Sequence, residues 1–265
     1  MPFVELQKSP HAAAVSPVRI HYRDAGRGKP LVFLHGGWGY AVYPIDRQIE
    51  ALGDHVRFIV PDRSGYGRSS KFRGPLPLDF HRRAAEETLL VLDALEIERP
   101  LLWGHSDGAV IAAMIGLLAP QRCERLILEA FHLYPNKPAS RSFFHRFANH
   151  PGDVSEKLQT MLSADHGARQ WRNVVQRNCR VWLQLAAQSE RPDQDLYGGQ
   201  LSKLQVPVTF LHGRQDPRTE PGEIERASTG LPQAEVRFIE DGRHSPHSED
   251  ASWRQCNEIL RKYTN

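Results

Sequence analysis

A serine hydroxyl attacks a carbonyl only when a base takes its proton and a sharp turn exposes it. Gly104-His105-Ser106-Asp107-Gly108 can supply the exposure. The flanking glycines permit a tight strand-to-helix turn where side chains would collide, and that turn lifts Ser106 off the sheet edge. G-x-S-x-G alone is only a moderate signal. Here the apolar run from Pro100 to Trp103 precedes it and an Ala- and Gly-rich stretch, Gly108 to Leu118, follows as a predicted helix. The amino-terminal dipole of that helix would point at the nucleophile and at any developing anion.

The partners of such a serine belong after later strands. Leu211-His212-Gly213-Arg214-Gln215-Asp216-Pro217 places Asp216 there, in a Gly- and Pro-bearing loop suited to holding a carboxylate. Glu129, at the end of an earlier apolar run, is the competing acid. Asp241-Gly242-Arg243-His244-Ser245-Pro246-His247 then offers the base, and His244 is preferred over His247 because it lies nearer the strand end and Gly242. His35-Gly36-Gly37-Trp38-Gly39 supplies backbone amides, so the expected oxyanion donors are the amides of Gly37 and Asp107, with the His35 ring orienting the loop. Trp38 and the Asp107 carboxylate are the expected substrate contacts. The order Ser106, Asp216, His244 is the order of the α/β-hydrolase triad and of no other protease-type triad.

Positioning these residues requires a parallel sheet. Short branched runs, Val18 to Tyr22, Leu31 to Leu34, Val56 to Val60, Leu126 to Leu128, Val206 to Leu211 and Val236 to Ile239, alternate with helical stretches. Every candidate residue stands at the carboxyl end of such a run, where open α/β sheets bind ligands. Between residues 131 and 204 no strand is evident, which predicts a helical cap inserted into a core of residues 1–130 and 205–265. Its strongest helix spans about Ala168 to Ala187, with Trp171, Val174, Val175, Trp182 and Leu185 on one face and Arg169, Arg172, Arg177 and Arg180 on the other.

The motifs HGGWG, PDRSGYGRS, GHSDG, LHGRQDP and DGRHSPHSE, in this order, make the chain resemble the α/β-hydrolase family over nearly its whole length apart from the cap. The resemblance implies Ser106 as nucleophile, His244 as base, Asp216 as its orienter and Gly37 with Asp107 as oxyanion hole. Asp62, Gly65, Gly67 and Ser69 match the family's D-x-x-G-x-G-x-S turn, with Ser64 where many members carry Arg or Pro. Epoxide hydrolases and haloalkane dehalogenases carry Asp in place of Ser106, and proline iminopeptidases resemble HGGPG where this chain has Trp38; all three are disfavoured. Some members similar to this chain, including an amino-acid ester hydrolase, use an Asp beside the nucleophile to bind the substrate's amino group. Asp107 is expected to favour α-ammonium substrates on that ground, or else to turn toward the helix start or solvent. Ester, lactone, thioester, amide and carbon–carbon hydrolysis stay open, as does a ligand-binding receptor of the same fold.

Composition narrows the partners. In 265 residues the net charge is +3 with Lys and Arg dispersed, which disfavours nucleic acid. No signal-like start or bilayer-length apolar run appears, so a cytoplasmic location and no membrane partner are expected. Three scattered cysteines and the lack of a His-Glu-x-x-His pattern predict neither disulfides nor a metal, and no cofactor is expected. The expected partner is a small acyl substrate, with a homodimer left open.

Overall fold

Strands β1 (Phe3–Leu6), β2 (Val18–Gly26), β3 (Lys29–Leu34), β4 (Val56–Pro61), β5 (Leu101–His105), β6 (Arg125–Glu129), β7 (Val208–Gly213) and β8 (Glu235–Ile239) form one sheet. Their spatial order is β1-β2-β4-β3-β5-β6-β7-β8. The first two strands pair antiparallel, β1 with β2 and β2 with β4, and all later pairings are parallel. The structure is a computed structural model and describes residues 2–191 and 193–264.

Every residue of β5 is buried, as a central parallel strand covered on both faces requires. On one face Val32, Leu34, Leu102, Leu126 and Phe210 pack with α2 (Phe80–Ala94) and α3 (Asp107–Leu118). On the other, Phe33, Phe58, Trp103 and Leu211 pack with α1 (Asp46–Leu52) and, through Cys256 and Leu260, with α8 (Trp253–Thr264). A short α7 (Glu223–Thr229) precedes β8. No helix among the described residues is long and apolar enough to cross a membrane.

Between β6 and β7 lie α4 (Arg141–Asn149), α5 (Glu156–His166) and α6 (Trp171–Ala187). Phe144, Leu162, Trp171, Val175 and Trp182 form a separate apolar cluster with Trp38, Val42, Leu76 and Phe80 beneath it. The two ends of the 131–204 segment behave differently: Phe131, Leu133, Tyr197, Leu201 and Leu204 pack into the main core. Only the middle of the segment therefore sits above the sheet as a cap.

Two local differences from the sequence reading have physical causes. The four-residue edge strand β1 has no apolar run to announce it, since only Leu6 is buried. The basic face of α6 is not uniformly solvated: Arg177 donates to the Gly65 carbonyl at 2.6 Å, and its guanidinium lies 4.6 Å from the centre of the Phe72 ring.

Close approach of α3 to the sheet is set by two glycines. A Cβ on Gly108 would stand 1.9 Å from the Leu34 carbonyl oxygen, and one on Gly104 would stand 2.1 Å from the Gly108 carbonyl oxygen. Neither obstacle is a flexible side chain. Gly108→Ala is accordingly expected to cost about 2–3 kcal/mol and to lower the Tm by about 4–12 °C in thermal unfolding. An unchanged Tm would mean that α3 does not pack as described.

Candidate active site

Ser106 joins β5 to α3 with φ of 55° and ψ of −119°, a conformation costing about 1–3 kcal/mol in a residue with a side chain. Its amide is pinned to the Glu129 carbonyl at 2.9 Å, and its carbonyl receives the Ala109 amide at 2.8 Å. The hydroxyl therefore stands at the carboxyl edge of the sheet. Ser106 Oγ lies 3.2 Å from His244 Nε2, and His244 Nδ1 lies 3.0 Å from both oxygens of Asp216.

The Asp216 carboxylate also accepts from the Arg218 amide at 2.9 Å and the Thr219 hydroxyl at 3.1 Å. Burial works to raise its pKa, but the charge and hydrogen bond of His244, together with His212 and the Arg218 amide, hold it well below the usual carboxylate range. An ionised Asp216 fixes the proton of His244 on Nδ1, leaving the Nε2 lone pair for the Ser106 hydroxyl.

The two rejected candidates, Glu129 and His247, are joined to each other. His247 Nδ1 lies 2.8 Å from Glu129 Oε1, both side chains are fully buried, and Trp103 Nε1 donates to the other Glu129 oxygen at 2.9 Å. This pair braces the loop that carries His244. His105, inside the G-x-S-x-G motif, braces it too: its Nε2 meets the His244 carbonyl at 3.0 Å and Ser245 Oγ at 2.8 Å.

The HGGWG loop is shaped by what presses on it. His35 donates from Nδ1 to the Gly36 carbonyl at 2.8 Å and accepts the Arg63 amide on Nε2 at 3.3 Å. A Cβ on Gly37 would stand 2.4 Å from Asn178 Nδ2 of α6, and Gly39, at φ of 94°, faces the His166 ring. His166 Nε2 donates to the Trp38 carbonyl at 2.9 Å while its Nδ1 accepts the Gly67 amide at 2.9 Å, tying the cap to this loop and to the D-x-x-G-x-G-x-S turn. In that turn a Cβ on Gly67 would meet Asp62 Oδ2 at 2.0 Å, and Asp62 is held by His21 at 2.9 Å and Arg23 at 2.8 Å.

Asp107 is the first residue of α3, so its amide has no acceptor within the helix. Its carboxylate is engaged by protein donors: Asn178 Nδ2 at 2.7 Å, Trp182 Nε1 at 2.9 Å and His81 Nε2 at 3.4 Å. An α-ammonium of a substrate, the partner expected for this carboxylate from the sequence, would have to displace one of them. Trp38 lies flat on Phe143, ring centres 5.3 Å apart, and lines the same cavity as Gly37, Ser106, Asp107, Trp182 and His244. That cavity holds about 20 Å³, room for about one water.

One lining residue was not foreseen. His132 Nε2 lies 3.4 Å from Ser106 Oγ, and its ring centre is 5.9 Å from that of His244. It stands just past the end of β6, so the rule that directed attention to polar residues after strand ends would have found it.

The profile of the alpha/beta hydrolase family matches residues 31–253. The chain belongs to that family and is a hydrolase of its fold. It is 24% identical to human serine hydrolase BPHL over 237 residues, covering 88% of this chain and 79% of that protein. The pimeloyl-[acyl-carrier protein] methyl ester esterase of Pectobacterium atrosepticum is 31% identical over 199 residues, 73% of this chain and 69% of that one. An epoxide hydrolase mutant from Bacillus megaterium superposes with a TM-score of 0.75 at 17% identity, over 99% of both chains, a likeness of fold alone.

The buried histidines give the protein a defined pH dependence. Burial holds His35, His105 and His132 well below the usual histidine value and His11 down at about 3, with nearby Arg63 adding to the fall for His11. Below about pH 6.5 the unfolded chain protonates these rings and the folded one does not, so stability falls as pH drops. His247 is the reverse case: burial lowers its pKa, but the charge and hydrogen bond of Glu129 outweigh that and raise it. Its stabilisation is complete below about pH 6.5 and is lost as pH rises through the raised value. Thermal unfolding against pH should therefore crest near neutrality. Glu129→Gln should keep the acid decline and remove the alkaline one attributable to this pair; an unaltered alkaline limb would refute that assignment.

Proposed function

We propose that the protein is a serine hydrolase that cleaves a carboxylic ester or a closely related acyl bond through an acyl-enzyme. The carrying observation is the unbroken chain from Ser106 Oγ through His244 to the Asp216 carboxylate, at 3.2 Å and 3.0 Å. His244 accepts the Ser106 proton as Oγ bonds to the carbonyl carbon, and the carbonyl electron pair passes to the oxygen. The amides of Gly37 and Asp107 receive that oxyanion. His244 returns the proton to the departing alcohol, then activates a water that releases the acid. The serine at position 106, and the likeness to a serine hydrolase and to a methyl ester esterase, favour this chemistry over epoxide opening or dehalogenation.

Because the cavity is about 20 Å³, an acyl group enters only when the cap segment moves. We assign the Asp107 carboxylate to holding that cap through Asn178 and Trp182, and the substrate to acids that need no α-ammonium.

Intact-mass labelling with a fluorophosphonate tests the nucleophile. One adduct is expected on the wild type and none on Ser106→Ala, with nitrophenyl ester turnover falling about 10⁴- to 10⁶-fold in Ser106→Ala and about 10⁴-fold in Asp216→Asn, which would favour the wrong His244 tautomer. Labelling that persists in Ser106→Ala would sink the assignment. Asp107→Asn should slow aminoacyl and neutral esters alike; a selective loss on aminoacyl esters would return the carboxylate to substrate recognition.

A further inference from the structure

The Ser106 hydroxyl has two imidazoles on it, and the ester mechanism employs one. His132 Nε2 is 3.4 Å from Oγ, its ring lies nearly parallel to that of His244 with centres 5.9 Å apart, and it stands nearly perpendicular to the Trp182 ring with centres 5.3 Å apart. The placement is fixed from both sides. Tyr197 donates to the His132 carbonyl at 3.0 Å, and Phe131 stacks on the Tyr197 ring at 5.5 Å. Glu223 accepts the Leu133 amide at 2.7 Å and the Tyr134 amide at 3.1 Å, and is itself neutralised by the buried Lys137.

The proton inventory defines its role. Ser106 has one hydroxyl proton, directed to His244 Nε2, so only a lone pair of Oγ faces His132. A contact there requires Nε2 of His132 to carry hydrogen. Its Nδ1 is buried and has no hydrogen-bond partner among the described residues, so nothing on that side competes for the proton. Burial first, then the positive charge of Lys137, keeps the ring neutral. His132 is thus a neutral donor aimed at the reacting oxygen, unable to serve as a second base toward it.

We infer that His132 is a catalytic hydrogen-bond donor to the leaving-group oxygen. This rests on the ester reading above. In the tetrahedral intermediate Oγ is an alkoxy oxygen bonded to the reacting carbon, and the leaving oxygen, on the same carbon, is the one on which charge next collects. As the bond from carbon to that oxygen breaks, the electron pair and negative charge collect on it. His244 Nε2 delivers the proton, and His132 Nε2–H stabilises the charge by hydrogen bonding without transferring its own. The contribution therefore grows as the departing alcohol becomes less acidic.

The test is a series of esters of one acid whose leaving groups run from nitrophenol to a simple alkanol, with kcat/KM measured for wild type, His132→Ala and His132→Gln. His132→Ala should be little affected on the nitrophenyl ester and lose about ten- to a hundredfold on the alkyl ester. His132→Gln, which retains an N–H donor, should recover part of the loss. The slope against leaving-group acidity is a ratio of rates, so a partly folded preparation scales every substrate equally and leaves it unchanged. Equal loss on all esters, or no loss, would overturn the inference while leaving Ser106 labelling intact. Failure of wild type to turn over any ester in a Ser106-dependent way would instead overturn the ester reading on which it rests.

Discussion

The arrangement depends on one steric constraint: α3 must leave β5 so abruptly that backbone passes against backbone. With 1.9 Å between a Gly108 Cβ and the Leu34 carbonyl oxygen, no side chain fits there unless the backbone shifts, and the turn places Ser106 at φ of 55°. A strained residue persists only where its surroundings over-determine it. Here the Glu129 carbonyl, the α3 amides and the two glycines do so. The hydroxyl is presented because the backbone has no other way to connect a fully buried strand to a fully packed helix.

Asp107 carries two consequences of the same turn. Its backbone opens α3 beside Ser106, while its carboxylate is taken by Asn178 and Trp182 of α6. The elbow and the cap are therefore coupled through one residue. His166 supplies a second tie, from the cap to the Trp38 carbonyl and the Gly67 amide. The cap is thus held by polar contacts that each contribute only about 0.5–1.5 kcal/mol net, or about 1.5–3 kcal/mol where the acceptor is charged, together with the apolar cluster beneath it.

What was legible in the sequence is what short-range pattern encodes. Ser106, Asp216 and His244, which the structure brings within hydrogen-bonding distance of one another, were singled out because each follows an apolar run, and the glycines of the elbow because only that residue type tolerates the turn. The α/β class followed from alternation, and the α/β-hydrolase fold from the order of the motifs and the family resemblance they carry. The partners of Asp107 were not legible, since Asn178 and Trp182 lie 71 and 75 positions away and nothing local joins them. The limits of the cap were blurred for the same reason: Phe131 and Tyr197 lie on opposite sides of an insertion and meet only in the fold. His132 is a different case, overlooked because attention at the end of β6 went to Glu129 as the competing acid.

The concentration of histidine around the site has an electrostatic logic. Three rings lie against His244: His105 at 5.2 Å, His132 at 5.9 Å and Tyr43 at 6.3 Å between centres. Burial drives both neighbouring imidazoles neutral, and a further buried imidazole, His247, which packs against His105, is matched by the charge of Glu129. On the proposed mechanism His244 becomes a cation only transiently, with Asp216 bonded to it throughout. A protonated neighbour at 5–6 Å would oppose that step by about 3 kcal/mol at an effective dielectric of 20. Neutral imidazoles fill the space, donate where hydrogen is needed and impose no such penalty.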